Sequence, residues 1–210
     1  MQCETDLGRA LTSLGDPKAE ATLQRAATEA LELDKEVDSP TGKNEQAPPA
    51  NSELQLALAG SQIELGKFHA QNKQFEAAEN EYMNAKGMAE HWREAAPEAV
   101  TWEEALAEIY DGLGDVYLSR NELDQANDWY KRTLGILEEL NRPETISGER
   151  MLFLAVSEYK LASLGELAGN KPKAVENHRA HATAILTQLR NEGRLPPIAQ
   201  AWPEFFARAR

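Results

Sequence analysis

The 210-residue sequence predicts an all-α solenoid of antiparallel helix pairs, on three observations. Gly66, Gly114 and Ala162 stand 48 residues apart, and Ala78, Ala126 and Ala174 keep the same interval without a gap. Small residues at fixed places in a repeating helix pair mark where two helix backbones come close, and a fixed period is the signature of stacked repeats. Apolar residues then recur at intervals of three and four, the spacing of one helix face. No stretch alternates polar and apolar residues between turn signals, so no sheet is predicted. In a solenoid each repeat packs on its neighbours, and no single globular core is needed.

Each element can be justified in order. Residues 4–14 read as a short helix with Leu7, Leu11 and Leu14 on one side. Gly15-Asp16-Pro17 is a turn in which Asp16 can cap the next helix and Pro17 suits its first turn. That helix reaches about Val37, so 1–37 form one partial unit. The polar stretch 38–51, SPTGKNEQAPPAN after Asp38, is a loop or linker rich in Pro and Gly. Residues 52–194 hold three helical hairpins of the 48-residue period. The first pairs a helix carrying Leu54, Leu58, Ile63, Leu65 and Phe68 with one from Phe75 to Arg93, across a turn at Asn72-Lys73. Thr101, with Glu104 three residues on, reads as a capping box that opens the second hairpin. Its partner helix starts at Asn121 and ends at Leu140, before Asn141-Arg142-Pro143. Ser147–Ala168 and a helix opened by Lys171-Pro172 make the third, with Gly169-Asn170 as the stop between them. Residues 195–210 form a C-terminal capping helix, with Ile198, Ala201, Trp202, Phe205, Phe206 and Ala209 on one stripe. The alternative for Trp202, Phe205 and Phe206 is docking on a second copy as a homodimer, because an exposed aromatic patch marks an interface.

Leu65-Gly66 followed by Phe75, Ala78, Tyr82 and Ala85, and Leu113-Gly114 followed by Leu123, Ala126 and Tyr130, resemble the tetratricopeptide repeat. Leu161-Ala162 with Ala174 and His178 is a degenerate third unit, in which Lys171 and His178 replace hydrophobic residues. Leu7, Gly8, Leu11 and Pro17 look like part of a fourth. The period is longer than the usual 34 residues, and Gln62, Tyr110 and Glu158 stand where the family has an early Trp. The resemblance implies a right-handed superhelical array. Its first helices would line a concave groove that takes a peptide or helix of a partner protein.

Acidic residues outnumber basic ones 35 to 22, for a formal charge of −13. That balance argues against nucleic acid, whose phosphates favour a basic surface, and against anionic membrane surfaces. Cys3 is the lone cysteine, so no intramolecular disulfide is possible. The opening MQCETDLGRAL lacks the basic and apolar parts of a signal peptide, and no apolar run is long enough to span a bilayer. The expectation is a soluble cytoplasmic protein.

Candidate chemistry is sparse. His178 and His181 share a helix face, but their spacing is three rather than the four of HExxH, and they are expected to pack between helices rather than bind metal. His69 and His91 stand alone. Glu103-Glu104 and Glu138-Glu139 are adjacent on helices and point apart, whereas acid–base pairs must share a pocket. No phosphate loop, nucleophile elbow or Cys–His arrangement is present. The expectation is a protein without catalytic residues, cofactor or metal.

The groove implied by the resemblance draws Ile63, Lys67, Ala70 and Gln71 from one unit, and Glu108, Asp111, Asp115 and Leu118 from the next. The last unit gives Tyr159, Lys160, Ser163 and Glu166. Glu108, Asp111 and Asp115 form an acidic stripe suited to a basic peptide. Arg9 and Lys67 alone do not make the clamp by which chaperone-binding members of the family grip a C-terminal carboxylate. An alternative reading is the regulatory part of a larger protein whose effector domain is not in this chain; the first repeat begins almost at Met1, which favours it.

Overall fold

The computed structural model describes residues 2–13, 15–16, 18–37, 51–97, 99–141, 147–169 and 171–208. Within them lie nine α-helices, one 3-10 turn and no strand. The expected loop 38–51 lies outside the described residues except for Asn51, which opens a helix. The chain divides into two compact units, Met1–Val116 and Tyr117–Arg210.

The first unit contains α1 (Gln2–Ser13), α2 (Lys18–Val37), α3 (Asn51–Gln71), α4 (Phe75–Ala95) and most of α5 (Val100–Ser119). Consecutive helices pack as pairs, α1 on α2 and α3 on α4, and α3 also packs on α1 and α2. The close approaches fall where small residues allow them. Tyr82 of α4 is buried between Gly66 of α3 and Gly112 of α5; a Cβ at those glycines would lie 2.8 Å and 2.4 Å from its ring. Gly8 of α1 takes Leu23 of α2 in the same way, at 2.4 Å. Trp92 of α4 stacks on Trp102 of α5 with ring centroids 6.2 Å apart.

The second unit holds the end of α5, then α6 (Leu123–Leu140), α7 (Gly148–Leu167), α8 (Pro172–Asn191), the 3-10 turn Pro197–Ala199 and α9 (Trp202–Arg208). Tyr130 is fully buried, clustered with Ala126, Leu161 and Leu164. Lys160 Nζ lies 5.3 Å above its ring, a cation on an electron-rich face. The Ser147 hydroxyl caps α7 by accepting from the Arg150 N–H at 3.0 Å. At the end of the chain Phe206 is buried, stacked on Tyr159 at 3.9 Å and on Trp202 at 5.9 Å. Arg190 of α8 donates to Glu204 of α9 at 2.6 Å.

One turn recurs. Gly15, Lys73, Asn121, Gly169 and Gly193 all have φ between +60° and +67°. At the first three and the last, that residue's N–H bonds back three residues and the next N–H bonds back five. This is the Schellman ending of a helix, with the left-handed residue just beyond it. Lys73, Asn121 and Gly169 again stand 48 residues apart.

Several local expectations need correction. Thr101 and Glu104 form no capping box, because α5 already begins at Val100 and the Trp102 N–H bonds Ala99 O. Asn121 does not start α6; it is the left-handed turn residue, and the helix begins at Leu123. Ala174 does not repeat the burial of Ala78 and Ala126: it is exposed, and Val175 is buried beside it. The final helix is shorter than 195–210, since Pro196 and Pro197 confine the segment before it to a 3-10 turn.

Candidate functional site

The first unit contains a cavity of about 550 Å³. Its walls are one face of each of three helices: Thr5, Asp6 and Arg9 of α1; Leu56, Ala57, Gly60 and Ile63 of α3; Thr101, Glu104, Ala105 and Glu108 of α5. On α3 and α5 these residues follow intervals of three and four, so each helix presents a single stripe. Ile63 is 3% exposed and sits in the wall as a buried side chain.

Behind the cavity lies a charge junction. Glu64 of α3 has a side chain only 3% exposed, and its Oε1 accepts from Arg9 Nε and from Lys67 Nζ, each at 2.9 Å. Lys67 also reaches Glu108 of α5. A buried carboxylate needs partners of this kind, since an unpaired buried charge is costly. Burial works against the Lys67 ammonium, but the charges of Glu108 and Glu64 outweigh it and hold its pKa above the ordinary lysine value. The Thr5 and Ser61 hydroxyls share a hydrogen bond at 3.0 Å and join α1 to α3 beside the junction. Burial pushes the Tyr82 phenol up, helped by the negative charges of Asp115, Glu108, Asp111 and Glu64. The acidic stripe of α5 is thus felt at the core of the α3–α4 pair.

The expected groove residues fall into both units. Ile63, Lys67, Gln71, Glu108, Asp111 and Asp115 belong to the first. Ile63 and Glu108 meet in the cavity, Lys67 stands behind it, and Gln71 is exposed near the end of α3. Arg9 and Lys67, the cations weighed for a carboxylate clamp, are both spent on Glu64. Leu118, Tyr159, Lys160, Ser163 and Glu166 belong to the second unit. There Leu118 packs against the Tyr130 cluster, Tyr159 is covered by Phe206, and Glu166 pairs with Arg179. Of the residues considered for a second copy, Phe206 is consumed by this internal stack, while Phe205 is 58% exposed.

The histidine pair has a definite partner that spacing did not identify. His178 Nδ1 meets one oxygen of Glu158 at 2.6 Å and His181 Nδ1 meets the other at 2.5 Å. Burial would raise the Glu158 carboxyl, but the two histidine bonds win and hold it below the usual glutamate range. Among the described residues no group of three His, Cys, Asp or Glu is arranged to hold a metal ion. His69 is buried and bonded to Gln74 at 2.6 Å, and His91 lies edge-on to Trp92.

Sequence reasoning missed Thr5, Asp6, Gly60 and Glu64. The signal for Glu64 was its position one residue after Ile63 and three before Lys67, a charge inside an apolar helix face. Arg9, 55 residues away, could not be paired with it from spacing. Compared with protein-family models and with curated proteins, the chain matches no family and no relative. No helix among the described residues is long and apolar enough to cross a membrane.

Proposed function

We propose that this chain is a non-catalytic protein–protein interaction scaffold, related in architecture to the tetratricopeptide repeats it resembles, that holds a peptide or helix of a partner protein. One observation carries the proposal: the described residues that line the cavity of the first unit come from α1, α3 and α5. Among the described residues, none of the lining comes from the helices that follow α1 and α3, α2 and α4. Alternation of lining and supporting helices is what an array of hairpins with a concave binding face requires. The acidic face of α5 favours a basic segment as ligand. The apolar and acidic lining of the cavity supports a reading of recognition.

Affinity capture from a lysate of the source cells tests the reading. Wild type is compared with Asp111→Lys/Asp115→Lys, after circular dichroism has shown equal helicity. A protein retained by wild type and lost by the variant supports a scaffold whose acidic stripe takes part in binding. Equal retention of the same proteins by both overturns the involvement of that stripe.

A further inference from the structure

The seven residues of α9 are too few for an isolated helix to persist in water, so its helicity comes from what it sits on. Pro203 and Phe206 are buried and Trp202 is half-buried. Phe206 stacks on Tyr159 of α7, and Phe205 reaches the same ring with centroids 5.9 Å apart. Trp202, four residues before Phe206, stacks on it in turn. Arg190 of α8 donates to the carboxylate of Glu204, which lies between the two aromatics, at 2.6 Å. An aromatic pair about one helical turn apart and a single charge thus seat α9 on α7 and α8.

A terminal element that only closes a stack of repeats carries a polar outer face. Here Phe205 and Ile198 are exposed. Two buried side chains return little for the ordering of seven residues. The ion pair between Arg190 and Glu204 is partly open to water, where such pairs contribute little. Elements held by so few contacts open locally while the rest of the fold stays intact. What α9 covers is Tyr159, one of the residues that the repeat resemblance turns towards a ligand.

We propose that α9 is a displaceable ligand of its own chain, and that the surface it covers on α7 and α8 receives a helix of a partner protein with two aromatic residues four apart and a carboxylate between them. Tyr159 and Arg190 read that pattern: the ring takes the aromatic face and the guanidinium takes the acid. α9 keeps its seat through its tether, which holds it at high effective concentration. A longer partner helix competes because more of its helicity is its own and it adds contacts at either end. The inference rests on the reading of the chain as a protein-interaction scaffold, and it gives that reading a site in the second unit with its own ligand chemistry.

The probe is a fluorescein-labelled peptide of residues 195–208, titrated by anisotropy against the full chain. Circular dichroism and urea unfolding first compare Trp202→Ala/Phe206→Ala and Glu204→Lys with wild type. The double variant, its α9 undocked, should bind the peptide about tenfold tighter than wild type, in which the tethered copy competes. Glu204→Lys breaks only the ion pair at the edge and should bind about threefold tighter than wild type; it decides the question if the double variant does not fold. Adding Arg190→Glu to the double variant should weaken the peptide about threefold, and a peptide carrying Glu204→Lys should recover the loss. Peptides with alanine in place of Trp202 or Phe206 should not bind. Equal binding to wild type and variants, or no binding to either variant, overturns the displaceable α9. Wild type that dimerises with rising concentration in sedimentation, and ceases to with Phe206→Ala, makes the occupant a second copy's α9 and overturns the partner helix. Each of these results leaves the scaffold reading to the capture experiment on Asp111→Lys/Asp115→Lys, whose residues belong to the first unit.

Discussion

Replacing Gly112 by alanine tests the packing of the first unit most directly. The new Cβ would lie 2.4 Å from Tyr82 Cζ, 2.6 Å from Cε1 and 2.7 Å from the phenol oxygen. The ring cannot swing away cheaply. It is 2% exposed, and the same edge already meets Gly66, where a Cβ would be 2.8 Å away. Overpacking of this kind costs about 1–3 kcal/mol. Against it stands the helix propensity that alanine gains over glycine, about 1 kcal/mol. The net change could be small, so a second variant is needed to separate the effects. Gly87 of α4 is exposed and a Cβ there meets nothing within 4 Å. Gly87→Ala therefore carries the propensity gain alone and should stabilise by about 0.5–1 kcal/mol. Urea unfolding followed by circular dichroism should place Gly112→Ala about 1–3 kcal/mol below Gly87→Ala, the size of the clash itself. In the double variant Gly112→Ala/Tyr82→Leu, the losses should sum to less than the two single changes, since they share one contact. Two alanine variants within about 0.5 kcal/mol of each other would show that Tyr82 does not fill a slot between glycines.

Two further predictions rest on the turns and on the histidine clamp. Lys73→Gly should stabilise by about 0.5–1 kcal/mol, because a left-handed lysine costs about 1–2 kcal/mol and glycine's greater freedom in the unfolded chain returns part of that; Asn121→Gly should gain less, since Asn tolerates the conformation. Equal or lower urea midpoints for Lys73→Gly would contradict the turn geometry. The Glu158 carboxyl is held below its unfolded value of about 4.5, so its contribution is present above that pH and lost as pH falls through the folded value. Glu158→Gln should be less stable than wild type by about 1–2 kcal/mol at pH 6, where charge-assisted bonds exceed neutral ones. The gap should close towards pH 3, and thermal midpoints across that range measure it. A gap independent of pH would mean that the carboxylate charge contributes nothing.

The all-helical architecture was legible because apolar residues recur at intervals of three and four, and of Gly66, Gly114 and Ala162 the first marks a close approach, to the Tyr82 ring. The turn period was not legible in the same way. Lys73, Asn121 and Gly169 share a backbone conformation but no chemistry, so a search for repeated residues passes over them. The third hairpin also changes its side chains while keeping its register. His178 stands 48 residues after Tyr130 and bonds Glu158 where Tyr130 fills space. Of the proposed binding surface, the acidic stripe of α5 was visible as i, i+3 and i+4 spacing. The cavity was not, because it depends on α1 lying beside α3, and on Arg9 and Thr5 finding partners 55 and 56 residues away. Thr101 and Glu104 misled for a related reason: a capping pattern matters only if the helix starts there, and α5 starts earlier.

The short α1 has a thermodynamic role out of proportion to its size. At 12 residues it is near the limit below which an isolated helix is marginal in water. It is held by Leu23 against Gly8, by the Thr5–Ser61 bond and by Arg9 on Glu64. It also forms one wall of the cavity. Local opening of such an element dissolves that wall of the cavity. On the proposed function, occupancy of the cavity and the docking of α1 are two sides of one equilibrium: a ligand there would slow amide exchange along α1, and whatever loosens α1 would lower affinity without touching the ligand.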